Sequence, residues 1–285
     1  MGRCLDYAVW PILFFGPIAG ALMLLQRGVS DVTVTLAMVA VLGAIAWGLE
    51  RVRPERLARS KPDFSLWMEV GHFLLGVELG YGLALLACEG VHRFASLSVW
   101  PVRWPVALQI LLAVLIYEGA SYWQHRCFHR SRRLWPFHAL HHTGSRLDVT
   151  RALRFHAVDI ALPTFVGYMP LVVMNAPERM FTLLGIIIST FGILQHANIR
   201  MRTPAWLDAL LCTPVVHRQH HARDRTASEC NYGTTVMVWD RLFGTYRRAE
   251  RPDGPDDFGI EDDTVPRTFL RQLTSPFRGR RHAQG

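Results

Sequence analysis

At 285 residues the chain has room for one large domain or two small ones. Half of its residues are hydrophobic and only 19% are charged, below the quarter usual in soluble domains, which excludes an ordinary water-soluble globule and points to a membrane protein. The formal charge of +8 does not mark a nucleic-acid binder, because the basic residues fall between apolar runs and in the tail, with no interleaved aromatic motif.

The first apolar run, residues 8–25, is longer than a signal core, contains Pro11 and Pro17, and is followed by Gln26 and Arg27 instead of a small-residue cleavage site; it is read as a membrane helix. Runs at 32–48, 64–87 and 104–122 follow, each long enough at about 1.5 Å per residue to cross roughly 30 Å of hydrocarbon. Between the second and third runs stand Arg51, Arg53, Arg56, Arg59 and Lys61, which the positive-inside rule places in the cytoplasm. Counting crossings from there puts the N-terminus inside and returns the chain to the cytoplasm at Arg126, Arg130, Arg132 and Arg133. Residues 157–174 and 180–195 form a helical hairpin broken before Pro177, short enough either to cross a thinned bilayer or to dip into it. From about Arg200 the chain turns polar and ends in an acidic stretch and a basic tail (Arg278, Arg280, Arg281). The expected fold is thus an all-α membrane bundle of four crossings plus the hairpin, or six crossings, with a cytosolic histidine-rich cap. Its parts are an N-terminal membrane region (1–100), a catalytic region (101–250) and a polar tail (251–285). The five cysteines (Cys4, Cys88, Cys127, Cys212, Cys230) are odd in number and lack CxxC spacing, against a disulfide framework.

The histidines carry the chemistry. His125 and His129 lie in HRCFH, His138, His141 and His142 in HALHH, and His217, His220 and His221 in HRQHH. Residues three and four apart share a helix face, so each group can aim its imidazoles at a common point. Imidazole suits iron, zinc, copper and nickel, and eight rings exceed one tetrahedral site, so two metals are the economical reading. The first two groups follow the fourth crossing and the third follows the returning hairpin, so all reach one membrane face. His196, at the end of the hairpin, either ligates or is structural. His156 leans towards a supporting role, and His72, His92 and His282 look ordinary.

These motifs resemble those of the fatty acid hydroxylase and sterol desaturase superfamily: His-x3-His, His-x2-His-His and a second His-x2-His-His. YEGASYWQHRCFH resembles the family's approach to the first box, and the Asn-Tyr-Gly and Trp-Asp-x-x-Phe-Gly-Thr that follow HRQHH resemble its close, over about residues 105–247. The resemblance implies that His125, His129, His138, His141, His142, His217, His220 and His221, with His196 as a further member, ligate two iron ions, with zinc a possible substitute in purified material. It further implies that O2 is used to oxidise an unactivated C–H bond, by hydroxylation or desaturation, of a membrane lipid such as a fatty acyl chain, alkyl ether lipid or sterol.

Glu118, seven residues before His125, and Asp240, after the third box, are candidates to orient an imidazole N–H. With no nucleotide motif or iron-sulfur cysteine set, electrons must come from an external redox protein, for which Arg126, Arg130, Arg132, Arg133, Arg218, Arg223 and Arg225 offer a basic surface. Trp123, Trp135, Trp206 and Trp239 read first as interfacial belt residues. Two other classes compete: a zinc hydrolase, which would need a general base of the HExxH kind that is absent, and a metal or haem carrier, which would place its ligands near mid-membrane.

Overall fold

The computed structural model describes residues 2–56, 64–94, 97–249, 251, 257–261 and 265–278. Arg59, Lys61, Arg280, Arg281, His282 and most of the acidic stretch lie outside these. Among the described residues there is no strand, only three isolated β-bridges.

The apolar runs become helices α1 (Gly2–Gln26), α2 (Asp31–Val52), α3 (Leu66–His72), α4 (Leu79–Phe94) and α5 (Val106–Arg130). Helix α3 runs into α4 through a π-helical stretch, Phe73–Glu78. Short α6 (Trp135–His142) then precedes the hairpin of α7 (Ala157–Val173) and α8 (Glu178–His196). The remaining helices are short: α9 (Ala205–Asp208), α10 (Pro214–His220), α11 (Arg225–Ser228), α12 (Val238–Leu242) and α13 (Phe269–Thr274). Among the described residues five helical rods are long and apolar enough to cross a bilayer, and α8 is one of them at 19 residues. Its hairpin partner α7 is shorter, at 17. Asn175 ends α7 at φ 58°, and the amides of Asn175 and Ala176 turn back to the carbonyls of Val172 and Leu171. A short amide side chain tolerates that left-handed turn.

Burial ranks the rods. The apolar window of α8 is 61% buried, whereas that of α2 is 17% buried. Helix α8 therefore forms the centre, packed by Leu183, Leu184, Ile186, Phe191 and Leu194 against Trp10 and Phe14 of α1 and Val34 and Leu42 of α2. Helix α2 leaves Leu36, Val41, Ile45 and Val52 exposed along its outer side. So large an apolar face is costly in water and expected in lipid.

Polar contacts sort the helix ends into two groups. At one end Arg53 pairs with Asp6 at 2.5 Å, the Arg202 amide reaches the Asp6 carbonyl, and Glu50 Oε1 accepts the amides of Val149 and Asn198. At the other, the amides of Leu97 and Trp100 bond Val173 and Met174 carbonyls, and Thr182 donates to Asp31. The start of α1 and the ends of α2, α5 and α8 thus share one face, as the counted crossings require. The π-stretch presses on that face: a Cβ at Gly76 would lie 2.0 Å from the Phe155 carbonyl oxygen, so a side chain there would push the helix off the segment that leads into α7.

Candidate metal centre

All nine histidines expected as ligands are buried and converge, in two adjacent groups. His125, His129, His138, His142 and His220 form the first, and His141, His196, His217 and His221 the second, with donor nitrogens within 4.8 Å of one another in each. Two nitrogens on opposite sides of an ion, each about 2.1 Å from it, would be about 4.2 Å apart, inside that limit. The split follows helical geometry. In α6, His138 and His142, four apart, serve the first group and His141 the second; around α10, His217 and His221, four apart, serve the second and His220 the first. The groups abut, with His142 stacked on His221 at a ring separation of 4.3 Å.

Hydrogen bonds fix which nitrogen faces inward. His125 Nδ1 donates to the Tyr232 carbonyl (2.7 Å), His141 Nδ1 to that of Arg154 (3.3 Å), His196 Nδ1 to that of Gly192 (2.6 Å) and His220 Nδ1 to that of Cys230 (2.8 Å). A carbonyl oxygen only accepts, so each of these rings presents a bare Nε2 lone pair to its group. His138 Nδ1 is likewise engaged, by Asp159. Yet His125 Nε2 faces His138 Nε2 at 3.0 Å and His196 Nε2 faces His141 Nε2 at 3.1 Å, while the buried Nε2 atoms of His129 and His220 have no hydrogen-bond partner. Lone pairs opposed at that range repel unless a cation lies between them. The donor set therefore fits one metal ion per group.

Protons do not serve as that cation. Burial, followed by repulsion from neighbouring imidazoles, pushes His141, His142, His217 and His221 well below the ordinary histidine range and His220 down to about 3. All five are neutral near pH 7, the form that ligates metal.

The two expected carboxylates stand one step further out than the sequence suggested. Glu118 accepts from the Thr234 amide and from the hydroxyls of Thr234 and Thr235, and touches no imidazole. Asp240 accepts from the amides of Tyr232 and Gly233 at 2.8 and 2.7 Å and from the Thr245 hydroxyl, and not from Arg241. Together they pin the loop at 231–235, whose Tyr232 carbonyl holds His125. The carboxylate that does touch a ligand is Asp159 in the first turn of α7, with both oxygens 3.0 Å from His138 Nδ1. A sequence signal for it existed: an acid opening an apolar helix is costly unless partnered.

The other described histidines stand outside the two groups. His156 caps α7 by accepting the Val158 amide and donates to the Leu273 carbonyl. His72 is less ordinary than expected, being fully buried with Nε2 2.8 Å from Gln272 Oε1. Arg218 leaves the basic surface: it is buried and donates to the Ala197 carbonyl, whereas Arg130, Arg223 and Arg225 expose 46–69% of their side chains.

Comparison with known proteins agrees with this geometry. The fatty acid hydroxylase family model matches residues 110–245, which hold all nine cluster histidines. The chain is 32% identical to the ornithine lipid hydroxylase OlsE of Rhizobium tropici over 97% of its own length and 86% of that protein's. It is 26% identical to an alkylglycerol monooxygenase of Danio rerio, covering 63% of this chain and 41% of that one, and 25% identical to a probable Delta(7)-sterol 5(6)-desaturase of Neurospora crassa, covering 61% and 47%. No solved structure matches. A relative matched over most of both chains, a family match over the histidine boxes and a membrane bundle carrying those boxes on one face lead to one conclusion: the chain belongs to the fatty acid hydroxylase family, membrane-bound, O2-dependent oxidoreductases that act on lipids.

Proposed function

We propose that the two histidine groups each hold an iron ion and that the chain uses the pair to hydroxylate a C–H bond of a membrane lipid. The observation that carries this reading is the opposition of buried, proton-free Nε2 atoms around two adjacent centres. When bound, the iron pair supplies reduction of O2 and removal of hydrogen from an unactivated carbon.

The chain's own residues hold and shield the site. Backbone carbonyls and Asp159 fix the ring orientations, and burial of all nine imidazoles keeps bulk water off the ligands. The ends of α5 and α8 carry His125, His129 and His196 directly from the apolar bundle, so a lipid can reach the site from the bilayer with its polar end at the interface. Arg51, Arg53 and Arg56 lie at the same end as the clusters, which supports a cytoplasmic metal site by the positive-inside rule. Each turnover needs two electrons from an external redox protein, for which Arg130, Arg223 and Arg225 offer exposed positive charge.

An ornithine lipid is the first substrate to try, because the OlsE relative is matched along almost its whole length whereas the chain spans less than half of the alkylglycerol monooxygenase and sterol desaturase relatives. Comparing the lipids of cells with and without the intact gene should reveal a species heavier by one oxygen in the former. Loss of two hydrogens instead would mean desaturation. Full zinc occupancy in active protein, with turnover in the absence of O2, would overturn the oxygenase reading.

A further inference from the structure

From the first histidine group a file of aromatic rings runs outward to the surface of α5. The Tyr232 ring lies 5.3 Å from that of His129 and 5.9 Å from those of His125 and His220. Tyr122 follows at 6.2 Å from Tyr232, and Trp123 at 5.5 Å from Tyr122. Phe243 bridges the last two, 5.5 Å from Tyr122 and 4.7 Å from Trp123. Both tyrosines are fully buried, whereas Trp123 is 47% exposed.

Packing alone would account for the rings but not for what the Tyr122 hydroxyl does. Arg126 Nη1 donates to it at 3.2 Å, and a guanidinium can only donate, so the phenolic proton points the other way, to Thr245 Oγ1 at 2.9 Å. Thr245 in turn donates to Asp240 Oδ1 at 2.6 Å. The chain Arg126, Tyr122, Thr245, Asp240 therefore has one direction and ends on a carboxylate. The Tyr232 hydroxyl meets no acceptor among the described residues. A phenol gives up an electron far more readily when its proton can leave at the same moment, and Tyr122 alone in this file has a built exit for it.

We propose that Tyr122 is a redox-active tyrosine, through which an oxidising equivalent stranded at the histidine groups escapes to the surface at Trp123. The inference rests on the O2-activating reading of those groups. When O2 has been partly reduced there and no lipid is bound, one electron passes from Tyr122 by way of Tyr232 to that oxidant. The Tyr122 O–H bond breaks, its proton moves to Thr245 Oγ1, and the Thr245 proton moves to Asp240, leaving a neutral tyrosyl radical and a protonated carboxyl. Trp123 then supplies one electron and the two protons retrace their path, restoring the phenol. The oxidised indole at the surface is quenched by a small thiol reductant or is itself oxygenated. Damage is thereby diverted from the ligands to an exposed side chain.

The test uses the full-length chain loaded with iron in lipid nanodiscs without substrate, reduced and then mixed with O2. Rapid freeze-quench electron paramagnetic resonance should show a tyrosyl signal that is absent from Tyr122→Phe. Peptide mass spectrometry should find added oxygen on Trp123 in the parent, shifting to the cluster histidines in Tyr122→Phe, whose inactivation per O2 consumed should rise several-fold. Thr245→Val keeps every ring and removes the proton path, and should lower the radical yield per bound iron several-fold. O2 consumption and lipid hydroxylation with no radical, or with the same radical and the same Trp123 oxidation in Tyr122→Phe, overturns this inference alone. A chain that takes up no iron or consumes no O2 overturns the O2-activating reading and the inference with it.

Discussion

Asp159 directs both carboxylate oxygens at His138 Nδ1, each at 3.0 Å, whereas His125, His141, His196 and His220 rest their Nδ1 atoms on neutral backbone carbonyls. A buried anion behind one imidazole makes that ring a stronger donor to a metal than its neighbours, and biases the first group towards the more positive ion. Asp159→Asn keeps an acceptor but removes the charge, and Asp159→Ala removes both. Iron affinity of the first group should fall roughly 10- to 100-fold in Asp159→Ala and less in Asp159→Asn, a range typical of partners behind metal ligands. Iron per chain and lipid turnover measured together check this. Equal iron and equal turnover in Asp159→Asn would show that the charge is immaterial.

Glu118 and Asp240 act on the centre through the backbone. Glu118 accepts from the Thr234 amide and hydroxyl and from the buried Thr235 hydroxyl, so Glu118→Ala leaves these donors without their acceptor. Each stranded donor costs about 1–3 kcal/mol. The loop they anchor carries the Tyr232 carbonyl behind His125, so lowered stability and lowered iron content should appear together. Thermal unfolding in detergent and metal analysis of Glu118→Ala beside Glu118→Asp test the coupling. A destabilised variant with full iron would separate the loop from the site.

What was legible in the sequence divides along the range of the interactions. The apolar runs and the three- and four-residue histidine spacings are local and periodic, so the helical bundle and the convergence of eight rings on one of its ends could be read, while His196 was left open between ligand and structural residue. The hairpin's unequal arms were less clear, because α7 and α8 differ by only two residues in length. The identity of a distant partner left no local trace, although the acid at the start of an apolar helix marked Asp159 as needing one. Asp159 meets His138 across 21 residues, and His72 meets Gln272 across 200. The close approach of the Phe155 carbonyl to Gly76, within the π-helical stretch Phe73–Glu78, likewise joins segments far apart in the chain.

Acid should weaken the metal-free protein over a defined window. His220 is held down to about 3 in the fold, and His141, His142, His217 and His221 well below the ordinary value near 6.5. Above that value neither folded nor unfolded chain is protonated at these groups, and they make no difference. Between it and the folded value only the unfolded chain takes up protons, so stability falls as pH falls, and stops falling below about 3 for His220. The melting temperature of chelator-treated protein should therefore drop from pH 7 to pH 4 with more than one proton bound per unfolding event. His220→Gln should flatten the slope, and an unchanged slope would mean that the ring is already protonated in the fold.

Arg154 ties a membrane helix, the C-terminal segment and one cluster ligand together. Its guanidinium pairs with Glu69 of α3, the closest approach being 2.6 Å, and donates to Gln272 of α13 at 3.2 Å, while its carbonyl holds His141 Nδ1. Arg154 is fully buried and Glu69 nearly so, so desolvation is costly and the pair matters mainly through what its loss would strand. Glu69→Ala should cost about 3–5 kcal/mol by leaving the Arg154 charge without its carboxylate. Glu69→Leu combined with Arg154→Met removes both charges and should recover much of that loss. Because the Arg154 carbonyl belongs to the backbone, the double variant should also regain iron in the second group, where the single variant has lost it. Stability restored without iron would show that the charged pair, and not merely the fold around it, sets the position of His141.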